Sequence, residues 1–383
     1  MTPRTFYCPT RIHMGAGAHE LVVSELEKIG SDRVFMVIDR AMLDSTIMQR
    51  IRGMLDDHAI ALVTFSEIEP DPSDTTVAAA FALCRDHAAT AIIAVGGGST
   101  IDVAKAVGIL ATNGGRIHDY EGIEQYDIAP LPLIALPTTA GTGSEVSGSC
   151  VITDTMRHLK MSIRHAAMNP ARVAILDPTA LTTLPWPVAM HAGMDAFVHA
   201  FESFIARGAN PVTDALNLRA IELISGNIRA FLADRTDLAA GQAMLTGSAL
   251  AGMAFGITGL GNVHCLARFV GAFFHLSHGL SNAVCLPAVA EFNRPAAQAR
   301  YARLAAILAP DTKGDEEILS KATVMAISKI CADLEVPSRL RDIGADTSRF
   351  DEMAELCVAA GYNRWNPRET RQADFRELLD QLY

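Results

Sequence analysis

The first half of the chain alternates short, unbroken apolar runs with longer amphipathic stretches. Residues 34–39 (Val-Phe-Met-Val-Ile-Asp), 91–95 (Ala-Ile-Ile-Ala-Val) and 131–136 (Leu-Pro-Leu-Ile-Ala-Leu) have the length and apolar character of strands. Helical spacing occupies 43–57 and 75–87 between them. Such alternation predicts a parallel sheet covered by helices on both faces. Asp177-Pro178 and Leu184-Pro-Trp-Pro187 form a proline-rich break, which puts a domain boundary near residue 180. Beyond it the pattern is helical almost throughout, with no hairpin signals. The expected organisation is an α/β domain over 1–180 followed by an all-α domain over 181–383.

Composition narrows the class. A chain of 383 residues, half of them hydrophobic, suffices for two cores. The net charge of −11 and the lack of a basic run argue against a nucleic-acid partner. No apolar run approaches the roughly eighteen residues of a spanning helix, and Met1–Cys8 lacks the apolar core of a signal peptide, so no membrane partner is expected. The seven cysteines are scattered, odd in number and without a C-x-x-C pair, as in a cytoplasmic protein with reduced thiols.

Two glycine-rich segments follow predicted strands. Gly96-Gly-Gly-Ser-Thr-Ile-Asp-Val-Ala-Lys105 lets the backbone turn sharply and approach a ligand without Cβ interference. The helix behind it offers free N–H groups to a phosphate, with Gly97, Gly98, Ser99 and Asp102 on or near that turn. It is not the ordinary dinucleotide fingerprint, because Ile101 stands where the third glycine would be. Pro137-Thr-Thr-Ala-Gly-Thr-Gly-Ser-Glu145 gathers hydroxyls and glycines at the end of the next strand, where open α/β sheets bind ligands. Together the two loops suggest a nucleotide cradle. Asp39, at a strand end, either accepts from ribose hydroxyls, which favours NAD over NADP, or caps a helix.

The helical half carries candidate metal ligands. In Gly193-Met-Asp-Ala-Phe-Val-His-Ala-Phe-Glu202 the carboxylate of Asp195 and the imidazole of His199 are four residues apart on one helical face. Both suit Fe²⁺, Zn²⁺ or Mn²⁺. Further on, His264, His275 and His278 fall within one apolar, glycine-marked segment. His264 and His278 would stand about 21 Å apart on one continuous helix. They are either unrelated or separated by a bend, for which Gly271 offers a place.

The motifs G-G-G-S-x-x-D-x-A-K, T-T-A-G-T-G-S-E and G-M-D-A-x-x-H-A-x-E, with the paired histidines of 264–279, resemble the iron-containing alcohol dehydrogenases. The resemblance runs from Asp39 to Asn366-Pro-Arg368. It implies a dehydroquinate synthase-like architecture: an N-terminal dinucleotide-binding α/β domain, a helical metal-binding domain, and a divalent metal and NAD(P) meeting between them. It implies metal ligation by Asp195, His199, His264 and His278. Cofactor contacts would come from Asp39, Gly97, Gly98, Ser99, Thr138, Thr139, Thr142 and Lys160, and substrate contacts from Ser149, Phe255 and Tyr362. The implied reaction is hydride transfer between a small alcohol or aldehyde and NAD, and the implied assembly is a homo-oligomer.

Two departures bear on chemistry. Arg268 stands where the family often has a histidine four residues after the His264 position, so a proton relay there does not carry over; His275 is a substitute candidate. Gly361-Tyr-Asn-Arg-Trp-Asn366 puts bulky and basic residues in a pocket-lining segment. Arg268 or Arg364 could hold the acid group of a hydroxy acid or semialdehyde; alternatively Arg268 offsets the cofactor pyrophosphate or pairs with an acid, and Arg364 is solvated. A lyase or cyclase resembling dehydroquinate synthase, and a non-catalytic relative, are the competing classes.

Overall fold

In the computed structural model, which describes residues 5–383, the apolar runs of the first half become strands of a buried sheet. In chain order the strands are β1 (Arg11–Met14), β2 (Arg33–Ile38), β3 (Ala61–Phe65), β4 (Ala91–Gly96), β5 (Gly122–Ile123), β6 (Leu133–Pro137), β7 (Ser149–Asp154), β8 (Leu159–Arg164) and β9 (Val173–Leu176). Six of them pair in parallel in the order β1-β9-β6-β4-β2-β3. The helices of this region are α1 (Val22–Ile29), α2 (Thr46–Asp57), α3 (Asp74–Asp86) and α4 (Gly98–Asn113).

Both sheet faces are covered, which is why these strands read as continuous apolar runs rather than alternating ones. Val34, Met36, Ile38, Ile93 and Val95 face one way and pack with Leu26 of α1 and Met48, Ile51 and Leu55 of α2. Phe35, Val37, Ile92 and Ala94 face the other way, against Val77 and Cys84 of α3 and Val103 and Val107 of α4. Ser45 and Ser73 start α2 and α3 by accepting from the N–H of Met48 and Thr76, both at 3.2 Å. A second sheet, β5-β8-β7, contains an antiparallel hairpin that the sequence patterns did not indicate.

The chain divides into two compact units, one formed by Tyr7–Leu184 with Asp234–Gly252, the other containing Pro185–Ala233 and Met253–Tyr383. The helices of the second half are α5 (Trp186–Ile205), α6 (Pro211–Ala233), α7 (Leu238–Thr258), α8 (Asn262–Phe274), α9 (His278–Asn293), α10 (Gln298–Leu308), α11 (Glu316–Asp333), α12 (Phe350–Ala359) and α13 (Gln372–Leu382). α5 is central in its unit: Phe197, Phe201 and Phe204 are fully buried, and α6 and α9 pack along it. Pro287 lies inside α9 and cannot donate to the Ala283 carbonyl; the Cys331 thiol donates to that carbonyl instead, at 3.8 Å. All seven cysteines are free.

One sequence expectation is corrected here. α7 carries no charged residue over its 21 residues and is, by length and composition, long and apolar enough to cross a membrane. Gln242, Thr246 and Ser248 interrupt any contiguous apolar run, which hid the helix's mean hydropathy. In the structure 56% of its apolar window is buried within the protein. Its small residues serve close packing: a Cβ on Gly252 would stand 2.8 Å from the Gly143 carbonyl oxygen.

Candidate metal centre and nucleotide cradle

α5 runs almost wholly buried and projects Asp195 and His199 from one face. α8 adds His264, and ligand atoms of these three residues all lie within 4.8 Å of one another. His278, the first residue of α9, completes the group, its Nε2 3.6 Å from Asp195 Oδ1. The turn that brings it there is not at Gly271. α8 continues through Gly271 to Phe274, and the chain reverses at His275, whose φ of 55° is left-handed and whose N–H closes on the Gly271 carbonyl. His275 is an exposed cap residue outside the cluster. His278 is 43% exposed at the side chain whereas Asp195, His199 and His264 are at most 7%, so the site opens on the His278 side.

The surrounding hydrogen bonds set the rings. Glu202, one turn beyond His199, accepts from His264 Nδ1 at 2.7 Å and from the backbone N–H of Val263 at 2.7 Å. It therefore caps α8 and fixes the His264 tautomer together. Gly261 permits this, since a Cβ there would lie 2.9 Å from Glu202 Oε1. Asn282 Nδ2 donates to Asp195 Oδ1 at 2.7 Å and lies 3.2 Å from His278 Nε2. The His199 ring stacks between His264 and Phe255, with centroids 4.6 and 4.4 Å away.

These contacts test whether a cation fits. With Nδ1 donating to Glu202, His264 Nε2 presents a lone pair, and that buried atom has no hydrogen-bond partner. It stands 3.6 Å from Asp195 Oδ1, an acceptor facing an acceptor. Two ligand atoms tetrahedrally arranged at about 2.1 Å from an ion are about 3.4 Å apart. A divalent ion thus fits both spacing and chemistry. The protonation energetics agree: burial alone would raise Asp195, but the imidazoles of His199, His278 and His264 hold its carboxyl well below the usual range. Burial alone would lower His264, yet Asp195 and Glu202 push it up to about 9. Two buried carboxylates around these imidazoles favour a positive charge in the pocket, a proton on His264 or a cation in its place.

In the α/β unit the two glycine-rich segments come together. β4 and β6 are neighbours, with Gly96 in register with Pro137. α4 has no side-chain cap at Gly97, so its first N–H groups remain available to an anion. A Cβ on Gly98 would meet Thr142 Cγ2 at 2.7 Å, and one on Gly97 would meet Thr139 Oγ1 at 3.3 Å. The missing side chains leave the room these hydroxyls occupy. Ser99 is partly exposed at the same helix start, and Thr138 is buried behind it, its N–H bonded to the Gly96 carbonyl at 3.0 Å. Asp39 lies beside the β4 end through its N–H to the Val95 carbonyl, and its side chain caps a turn by accepting from Ala41 at 2.9 Å.

Asp102 accepts from Ser144 Oγ at 2.6 Å and Val151 N–H at 2.9 Å, so it braces the second loop. Its buried neighbour Lys105 donates to the Ser147 and Ser149 carbonyls at 2.9 and 2.7 Å. Lys160, on β8, is ion-paired with Asp71 at 2.6 Å. Ser149 begins β7, with its carbonyl committed to Lys105. Arg268 is partly buried one turn after His264 on α8, and Arg364 is exposed beside Trp365 in the short Tyr362–Arg364 turn. Asn366 joins the start of α8 to the end of α9: its Oδ1 accepts from Asn262 N–H and Asn293 Nδ2, and its Nδ2 donates to Asn293 Oδ1. Glu202 and Asn282 had gone unassigned from sequence, although Glu202 sits inside a quoted motif and Asn282 one turn after His278.

A cluster of metal-ligating side chains on helices and an uncapped glycine turn on a parallel sheet are what the resemblance implied, and the family comparisons identify the class. The model for "iron-containing alcohol dehydrogenase" matches residues 9–178, and that for the C-terminal part of the Fe-containing alcohol dehydrogenase family matches 189–383. The chain belongs to the iron-containing alcohol dehydrogenase family and is an oxidoreductase. It is 35% identical over 382 residues to a 1,3-propanediol dehydrogenase of Citrobacter freundii, covering 99% of this chain and 98% of that one. It is 32% identical over 375 residues to an NAD-dependent methanol dehydrogenase of Bacillus methanolicus, covering 98% of each. A solved 1,3-propanediol oxidoreductase matches with a TM-score of 0.96 at 33% identity, covering 100% of both chains.

Proposed function

We propose that this chain is an NAD- and divalent-metal-dependent alcohol dehydrogenase that interconverts small alcohols and aldehydes. The observation that carries it is the partnerless, buried Nε2 of His264 opposite Asp195, with Glu202 fixing the tautomer. Asp195, His199, His264 and His278 would hold the ion, and Fe²⁺ is favoured by family while Zn²⁺ and Mn²⁺ suit the same donors. A divalent ion and a nicotinamide supply, when bound, Lewis acidity toward the alcohol or carbonyl oxygen and an acceptor or donor of hydride.

The protein's part is placement. Asn282 and Glu202 orient Asp195 and His264 before any ion arrives, which is the preorganisation such sites need. The Phe255 ring shields one face of His199 and offers an apolar wall to a small carbon chain. The free N–H groups of α4 and the hydroxyls of Thr139 and Thr142 receive the cofactor pyrophosphate. Asp39, near the end of β4, accepts from ribose hydroxyls and repels a 2′-phosphate, which favours NAD.

The test is reconstitution. Metal-free enzyme given Fe²⁺, Zn²⁺ or Mn²⁺ in turn is assayed for NADH oxidation with propanal, and its metal content is measured in parallel. One ion per chain with metal-dependent oxidation of NADH is expected. Full metal occupancy and bound NADH without turnover of any aldehyde would overturn the dehydrogenase assignment in favour of a lyase.

A further inference from the structure

We propose that Arg268 sets substrate choice at this site, and that the preferred substrate is a short aldehyde, or its alcohol, bearing a carboxylate; the proposal rests on the functional reading above. Arg268 lies four residues after His264 on α8, about 6 Å along the helix axis and on the same face. Its guanidinium is partly buried, yet among the described residues no carboxylate or carbonyl pairs with it; its aromatic neighbour is the Phe269 ring, 5.9 Å away. Arg294 and Arg300, also partly buried, are satisfied, by Glu291 at 2.8 Å and by Asp214 and the Phe204 carbonyl; Arg52 on α2 is partly buried without an acid partner too, so what sets Arg268 apart is its place one turn from His264. An always-charged group partly out of water, one turn from the metal-ligand cluster, is placed to receive an anion bound there.

The start of α9, whose Ser277 gives no side-chain cap, puts the positive end of a helix beside His278, on the open side of the same cluster. A carboxylate on the substrate receives both donors of the guanidinium fork. Arg364 is a weaker claimant, because it is exposed and unpaired solvation costs it nothing.

The probes are 4-oxobutanoate and butanal, of equal chain length, with the Fe²⁺-loaded full chain and NADH. Wild type is expected to favour 4-oxobutanoate in kcat/KM by about tenfold or more. Arg268→Gln should shrink that preference by about 10–100-fold, mainly through KM, the scale of one lost charge-assisted bond. Arg268→Lys should retain part of it. Binding of 4-hydroxybutanoate and of 1-butanol is measured calorimetrically on the same proteins. Equal preference in wild type, or an equal loss on both aldehydes in Arg268→Gln, would overturn the clamp and leave the dehydrogenase intact. Arg268-dependent binding of 4-hydroxybutanoate with no turnover of either aldehyde would support the clamp and sink the dehydrogenase reading. Neither binding nor turnover of the carboxylated probes would overturn the clamp.

Discussion

Replacing Glu202 with glutamine should separate the order of the site from the order of the fold. The two carboxylate oxygens serve three donors: Val263 N–H at 2.7 Å, His264 N–H at 3.3 Å and His264 Nδ1 at 2.7 Å. Glutamine keeps the volume and one acceptor oxygen but turns an NH₂ toward a donor. One buried bond to a charged group is lost, worth about 1.5–3 kcal/mol. Loss of such an outer partner typically weakens metal binding 10–100-fold, or about 1.4–2.8 kcal/mol. The two estimates agree, so most of the loss should appear in ion affinity. Chelator-competition titration of Zn²⁺ and Fe²⁺ measures it, with circular dichroism of the metal-free variant as the control for folding. A well-folded variant whose affinity falls by less than about threefold would refute the reasoning and reduce Glu202 to a helix cap.

Three further outcomes are expected. Gly279→Ala places a Cβ 2.1 Å from the His191 carbonyl oxygen, so α9 must move off α5; about 1–3 kcal/mol of stability should be lost, with weakened metal binding through displaced His278, as read by denaturant unfolding and titration. Asp39→Ser keeps an oxygen for the turn at Ala41 but removes the charge, so the NADPH-to-NADH ratio of kcat/KM should rise about tenfold or more; an unchanged ratio would remove Asp39 from cofactor selection. Burial alone would raise the Glu25 carboxyl, but its donors Lys28, His13 and Arg11 lower it from 4.5 to about 2. Its contribution is complete above pH 4.5 and lost as pH falls toward 2, so Glu25→Gln should be less stable than wild type at pH 7 and converge with it near pH 2 in denaturant melts.

What could be read from sequence depended on whether the signal was local. β2 and β4 were legible because strands buried on both faces become unbroken apolar runs, and the boundaries fell within a residue or two of 34–39 and 91–95. The β7–β8 hairpin was not, since its turn through His158, φ 53°, uses a left-handed residue other than glycine. His275 hides the α8–α9 reversal for the same reason: no glycine marks the spot, and Gly271 misdirects. The Asp195 and His199 pair was visible from helical periodicity alone. Asn282 and Glu202 were silent because their partners come from other helices. Asp102 looked like a ligand group of a helix start, yet tertiary packing ties it, with its neighbour Lys105, to the loop around Ser144–Ser149.

The central claim is that Asp195, His199, His264 and His278 hold one divalent ion. Anomalous diffraction at the iron edge from crystals of anaerobically Fe²⁺-loaded enzyme tests it most directly. A single strong peak bounded by those four side chains, with His264 Nδ1 still on Glu202, is the expected result. Iron located elsewhere, or no peak among these residues in crystals whose dissolved protein oxidises NADH, would contradict the account.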